Sequence, residues 1–80
     1  MISRMTNHSL DRSVAAEVRA EMARQQKTQA ELAAVIGVTA HTAGRRCSGA
    51  VPFDVIEIAA VAEWLSVPVE QLLGNKAVTA

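Results

Sequence analysis

Apolar residues recur at helical spacing along most of the chain, in runs that glycine, proline or polar capping residues separate. In the first run the apolar positions are four residues apart, which places them on one face of a helix predicted over Leu10–Gln25: Leu10, Val14, Val18 and Met22. The polar stretch before it, residues 1–8, lacks this period and predicts a mobile arm. The pattern therefore predicts an all-α domain preceded by a short extension.

Capping signals mark the next two helices. The segment Thr28–Glu31 has the spacing of an S/T-x-x-E capping box, and Gly37 tolerates the left-handed conformation that ends a helix. Thr39 is a preferred N-cap and follows almost at once, so a third helix is predicted over Ala40–Cys47, ending at the next glycine. Because the connection is so short, the two helices are expected to cross steeply.

Proline precedes each of the last two predicted helices, which cover Phe53–Leu65 and Val69–Leu73. The apolar stripe predicted for the longer one consists of Val55, Ile58, Val61, Ala62 and Leu65. A glycine ends the shorter helix, and residues 75–80 follow as a tail. The folded domain is therefore expected over residues 9–74.

Composition narrows the class of protein. Half of the 80 residues are hydrophobic but only one is Phe and one is Trp, so the core must consist of aliphatic side chains and leaves little room for a deep ligand pocket. A single cysteine cannot form an internal disulfide, and neither a signal peptide nor a membrane span is evident. The sequence therefore predicts a cytoplasmic protein with no membrane partner.

Charge is unevenly distributed, although the formal net charge is zero. From Leu32 to Phe53 there is no Asp or Glu, and Arg45 and Arg46 stand side by side in this stretch. The predicted third helix is therefore locally basic, which favours an anionic partner.

One ordered series of residues resembles a known family. The series is Thr28-Gln29-Ala30-Glu31-Leu32-Ala33, then Gly37-Val38-Thr39, Gly49, Ile58, Ala62, Leu65, Val67 and Leu72-Leu73. It is similar to the Cro/C1-type helix-turn-helix domain of lambdoid phage repressors and many bacterial regulators, and the match runs from about Leu10 to Gly74. The resemblance implies a five-helix lambda-repressor-like fold in which the third helix enters the DNA major groove.

The resemblance also implies the residues that contact double-stranded DNA: Gln29, Thr39, Ala40, His41, Thr42, Gly44, Arg45 and Arg46. Gln29 would touch phosphate and brace the recognition helix. Arg45 is the expected main determinant of specificity, because a guanidinium can donate to both O6 and N7 of guanine. Ala40 would offer only a methyl group to thymine.

Some residues depart from the family pattern and leave alternatives open. Gly44 either lets the recognition helix approach DNA closely or is a tolerated weak point. The stem of Arg46 either packs on the core while its guanidinium reaches a phosphate, or the predicted register is one residue off. Cys47 and Met22 replace an ion pair of the family, which predicts a buried structural thiol.

No arrangement of residues in the sequence predicts catalysis. His41 and Cys47 are six residues apart on one helix, too far round it to hydrogen-bond, and no acid completes a triad. His8, His41 and Cys47 lack the spacing of metal ligands, so no metal and no cofactor are expected. Trp64 is interpreted as a core or edge aromatic, with self-association through Trp64, Val67, Val69 and Val78 as the alternative.

Three functional hypotheses follow. The first is a sequence-specific transcriptional regulator, a phage or prophage repressor in a bacterial host that binds a palindromic operator as a homodimer, occludes a promoter and is nucleoid-associated. The second keeps the fold as a protein-interaction module, an antirepressor or antitoxin component with weak DNA binding. The third is the DNA-binding fragment of a longer regulator.

Overall fold

A computed structural model describes the backbone of residues 2–74 and the side chains of residues 12–74. All regular secondary structure among the described residues is helical: α1 (Ile2–Gln25), α2 (Gln29–Ile36), α3 (Ala40–Ser48), α4 (Val55–Leu65) and α5 (Val69–Leu72). This confirms the predicted all-α class, while the predicted tail 75–80 lies outside the described residues. Among residues 2–74, no helix is both long and apolar enough to cross a bilayer.

Helix α1 begins eight residues before its predicted start. The arm predicted over residues 1–8 is wrong for residues 2–8, which continue the same helix up to Gln25. No glycine or proline interrupts residues 2–25, so nothing in the backbone opposes extension of the helix toward the N-terminus. The amphipathic period marks only the part of α1 that faces the core.

The predicted capping signals of α2 and α3 are confirmed. Thr28 forms a reciprocal capping box with Glu31, and the backbone of Gly37 is left-handed with a φ of 71°. Thr39 caps α3 through its side chain, and Gly49 ends it with a φ of 86°. These local bonds set the ends of both helices and leave three residues, 37–39, to connect them.

The core lies where all five helices meet. Its largest fully buried side chains are Val18, Leu32, Val61, Leu65 and Leu72. Helix α1 contributes Val14, Val18 and Met22 to this core, as its spacing predicts, and Val38 packs against it from the connection between α2 and α3. The predicted inner face of α1 is therefore confirmed at Val14, Val18 and Met22, while the side chain of Leu10 lies outside the described residues.

The start of α4 differs from the prediction. Phe53 is buried before the helix begins, and Asp54 caps the helix in a capping box with Glu57. Val55, predicted on the inner stripe, is 82% exposed and Ile56 is 80% exposed, whereas Glu57 faces inward. Because Asp54 is the cap, the first helical turn points its apolar residues to solvent and its acid to the interior.

A polar cluster holds α5 against α1. The buried carboxylate of Glu21 accepts hydrogen bonds from Arg24, Gln25 and Gln71, at distances between 2.6 and 3.1 Å. The Gln25 amide also donates to the backbone carbonyl of Leu65 at the end of α4. These bonds, chiefly that with Arg24, lower the pKa of the Glu21 carboxyl from its ordinary value.

Candidate nucleic-acid interface

Helix α3 has one buried face and one exposed face. Ala43 and Cys47 are buried against the core, and the burial of Cys47 was predicted. The opposite side, which we call the α3 outer face, consists of Ala40, His41, Gly44 and Arg45; Gly44 is half-buried and the other three are exposed. The burial of residues 43 and 47 confirms the predicted register, so the alternative of a one-residue shift is excluded.

The N-terminus of α3 presents hydroxyl groups at the edge of the α3 outer face. The Thr39 hydroxyl accepts from the backbone N–H of Thr42 at 3.1 Å and donates to the Thr42 hydroxyl oxygen at 3.1 Å. The Thr42 hydroxyl thus keeps its own proton for a further acceptor. Both residues lie at the positive end of the helix dipole, where an anionic group is favoured.

Gln29 connects the start of α2 to α3. Its side-chain amide donates to the backbone carbonyl of Ala40 at 3.1 Å. A Cβ atom placed on Gly44 would lie 2.8 Å from the Gln29 amide nitrogen, closer than Cβ atoms normally approach other heavy atoms. Gly44 therefore makes room for the Gln29 side chain, a reason that neither sequence interpretation of Gly44 contained. Gln29 thus contacts α3 as the predicted bracing requires, while its contact with phosphate stays a prediction.

Arg45 lies near the C-terminal end of α3 with its side chain exposed. Among the residues whose side chains the structure describes, no carboxylate forms an ion pair with it. Its carbonyl accepts from the Ser48 hydroxyl and from the backbone N–H of Val51, which fixes the backbone beneath the side chain. The guanidinium is therefore available to an anion or to a base edge.

Arg46 does not lie on the α3 outer face. Its guanidinium pairs with the Glu57 carboxylate of α4 at 2.9 and 3.2 Å, and its side chain is only 18% exposed. The stem is packed as predicted, but the head group points to an internal acid rather than outward to a phosphate. The assignment of Arg46 to DNA contact is corrected accordingly, because its guanidinium is directed to an internal carboxylate and its side chain is largely buried.

The Arg46–Glu57 pair includes the acid of the α4 capping box. The Glu57 carboxylate also accepts from the backbone N–H of Asp54 at 3.0 Å, closing the capping box of α4. The bond with Arg46 lowers the pKa of the Glu57 carboxyl, against a smaller opposing effect of burial, and the same bond raises the pKa of Arg46. One carboxylate therefore fixes both the start of α4 and its position against α3.

Cys47 is a buried thiol, as predicted. It and Met22 are both in the apolar core, where the family pattern places an ion pair. Burial raises the pKa of the Cys47 thiol, and the nearby charge of Arg19 only partly offsets this. Arg19 also donates to the Cys47 backbone carbonyl, so a cation of α1 caps the C-terminal end of α3.

The sequence analysis missed a second surface. The apolar residues exposed on α4 and α5 are Val55, Ile56 and Val69, and a groove of about 200 Å³ beside them is lined by Val55, Ile58, Ala59, Val69 and Leu73. The signal was present, since α4 is apolar on every side. Trp64 lies away from this surface, half-buried against the core, and the Lys27 Nζ lies 5.4 Å from the centroid of its ring. Of the residues in the alternative self-association prediction, only Val69 belongs to this surface. Val78 is outside the described residues.

Comparison with known protein families identifies a matching family model. The family model described as the BetR domain matches residues 8–80, which is most of the chain. No curated protein and no solved structure matches significantly.

Proposed function

We propose that this chain, which belongs to the BetR domain family, is a sequence-specific double-stranded DNA-binding transcriptional regulator. The observation that carries the proposal is the α3 outer face. A short helix, capped at both ends and buried on one side only, presents a cation and small residues to solvent. The unit of α2, residues 37–39 and α3 would act as a helix-turn-helix.

Shape and charge of α3 support insertion into the major groove. An α-helix with its side chains is about 10–12 Å in diameter, and the major groove is about 12 Å wide. Ala40 and Gly44 keep the α3 outer face narrow enough for close approach. Because no Asp or Glu occurs between Leu32 and Phe53, no carboxylate of this segment would repel the phosphates.

The roles proposed for individual residues follow from their exposure and partners. Arg45, which has a free guanidinium, would recognise guanine through O6 and N7. His41 and Ala40 would contact neighbouring base edges, while the Thr42 hydroxyl donates to a phosphate. Gln29, held against Ala40 and Gly44, would fix the height of α3 relative to the DNA backbone.

Repression by occlusion is the proposed mechanism. Two copies of the chain would occupy the half-sites of a palindromic operator, about one helical turn apart, and cover a promoter. The zero net charge of the chain implies that few phosphates are neutralised, so non-specific affinity should be modest. Sequence selection would then depend on the base contacts of each α3 and on the pairing of two copies.

Fluorescence anisotropy with a randomised duplex pool tests the proposal, at low and at near-physiological salt. We expect binding that weakens with salt and selects a recurrent sequence. Arg45→Ala should relax selection at one base pair, with a loss of about 1–3 kcal/mol of discrimination there. Arg24→Gln is the matched control, because it removes one positive charge from α1 and keeps a hydrogen-bonding partner for Glu21.

Two results would argue against the proposal. Absence of binding at low salt would exclude a DNA-binding role for the α3 outer face. Equal loss of binding in Arg45→Ala and Arg24→Gln would show that only net charge matters, and sequence recognition by α3 would be abandoned.

A second candidate function is a protein-interaction module of the antirepressor or antitoxin kind. The exposed apolar residues of α4 favour it, since exposed patches of this type commonly contact other proteins. Under this function Arg45→Ala would leave the biological activity intact. The anisotropy experiment therefore separates the two candidates.

A further inference from the structure

Helix α4 is apolar on both its inner and its outer side. Of its 11 residues only Glu57 and Glu63 are polar, and Glu57 faces the interior. Val61, Ala62 and Leu65 are buried in the core, while Val55, Ile56 and Ala59 are exposed on the outer side. A helix that is apolar all round is normally covered on both sides, so the outer side of α4 lacks a cover in the isolated chain.

The outer side of α4 and the adjoining side of α5 form what we call the α4–α5 surface. It contains projections, Val55 and Ile56, which are 82% and 80% exposed. Beside them is the groove of about 200 Å³ between α4 and α5. In an interface with two-fold symmetry, both copies use the same surface. That surface must therefore contain both the projections and the groove that receives them.

We propose that the α4–α5 surface binds a second copy of this chain, with the Ile56 side chain of each copy inserted toward the groove of the other. Ala59, with its small side chain, lies between projection and groove and allows the two α4 helices to approach closely. The proposal rests on the proposed function, because a two-fold axis at this surface would pair two recognition helices.

The position of the surface fits such an axis. The Arg46–Glu57 pair links the first turn of α4 to α3 through their side chains. Half-sites one helical turn apart require each recognition helix to lie about 17 Å from the axis, half of the 34 Å repeat. The described chain measures 35 × 23 × 20 Å, so an axis at its surface can lie at about that distance from α3.

Size and charge predict a weak and salt-dependent dimer. A stable interface buries about 800 Å² per partner, whereas one exposed side of an 11-residue helix and a four-residue helix offers less. Asp54, Glu63 and Glu70 are exposed around the surface, and no Lys or Arg occurs from Cys47 to Asn75. Because two copies bring acids together, added salt should screen their repulsion and strengthen association.

Sedimentation equilibrium from about 1 µM to about 1 mM, covering the range of weak association constants, tests the proposal. We expect the wild-type chain to dimerise more strongly at high salt. Ile56→Glu should raise the dissociation constant at least about tenfold, as expected for a central contact. Glu63→Gln should lower it. Ala20→Glu, the same charge change at an exposed position of α1, is the control and should leave the constant unchanged.

Failure of this inference is distinguishable from failure of the proposed function. A wild-type chain that is monomeric at every concentration, or a dimer that Ile56→Glu does not weaken, overturns the inference. Anisotropy on the same proteins gives the second readout: selective DNA binding by a monomeric chain keeps the proposed function and discards the dimer. A dimer that Ile56→Glu dissociates but that binds no DNA keeps the α4–α5 surface and discards the function.

Discussion

The α3 outer face and the α4–α5 surface differ in chemistry, although the Arg46–Glu57 pair directly links the helices that carry them. The α3 outer face is polar, lies in a stretch without acids and carries an exposed arginine. The α4–α5 surface is apolar and lies in a stretch without bases. A chain with no net charge can therefore present two surfaces suited to different partners.

The Arg46–Glu57 pair is where the two regions are connected, and breaking it should have the largest effect. Arg46→Ala leaves the Glu57 carboxylate in the interior without its cation, so we expect a loss of about 3 kcal/mol in the free energy of unfolding, as for other pairs broken on one side. Urea denaturation measures this loss in the free energy of unfolding. Arg46→Met combined with Glu57→Leu should recover most of the loss, because no charge is then buried. A loss below about 1 kcal/mol in Arg46→Ala would mean that the pair does not couple α3 to α4.

Low pH should lower the stability of the wild-type fold, because it protonates the carboxylates of Glu57 and Glu21. The pKa of Glu57 is lowered by Arg46 and that of Glu21 by Arg24, so both carboxylates stabilise the folded state when ionised. This stabilisation is complete above the unfolded pKa of about 4.3 and is lost as pH falls through the lower folded values. Thermal unfolding between pH 7 and pH 2 should therefore show a falling midpoint below about pH 4.5. Glu57→Gln should flatten this dependence, and an unchanged slope would contradict the assignment.

Substitutions at Gly44 and Gln29 should have a smaller effect on stability, and they test the contact between α2 and α3. Gly44→Ala gains about 1 kcal/mol of helix propensity but displaces the Gln29 amide from its hydrogen bond, so the free energy of unfolding should change little. In a chain that already carries Gln29→Ala, the same substitution should stabilise by nearly the full 1 kcal/mol. Urea denaturation of the four proteins gives this difference. Additive effects of the two substitutions would show that the side chain does not occupy that space.

Ile56→Ser should have the smallest effect on the folding of the isolated chain. Because Ile56 is largely exposed, its replacement should change the free energy of unfolding by less than about 0.5 kcal/mol, measured at a concentration where the chain is monomeric. Phe53→Ala, three residues earlier and buried, should cost about 3 kcal/mol or more and serves as the contrast. A similar cost for both would place Ile56 in the core and remove the α4–α5 surface.

Sequence reasoning succeeded where the determining interactions are local. The limits of α2 and the start of α3 depend on hydrogen bonds within three residues of Thr28 and Thr39, so their pattern is visible in the chain itself. The apolar side of α1 was also predictable, because its period reflects burial. The early start of α1 was not, since residues 2–8 contain neither the period nor a stop signal.

The interior ion pair and the contact between Gly44 and Gln29 could not be predicted from the sequence because they depend on tertiary placement. Arg46 and Glu57 are 11 residues apart and meet only after the chain has turned between α3 and α4. The space over Gly44 is filled by Gln29 from another helix, which no local pattern indicates. Of the candidate DNA contacts, the structure leaves Arg45 exposed and withdraws Arg46.

The shortness of α5 has a kinetic consequence. Four residues cannot form a stable helix alone, so α5 persists only while Leu72 is buried and Gln71 is bonded to Glu21, a residue 50 positions earlier in the chain. Transient undocking of α5 would remove one wall of the groove beside α4. A second copy that occupies this groove would therefore slow the exchange of the α5 backbone amides with solvent deuterium, because each opening event would first require dissociation.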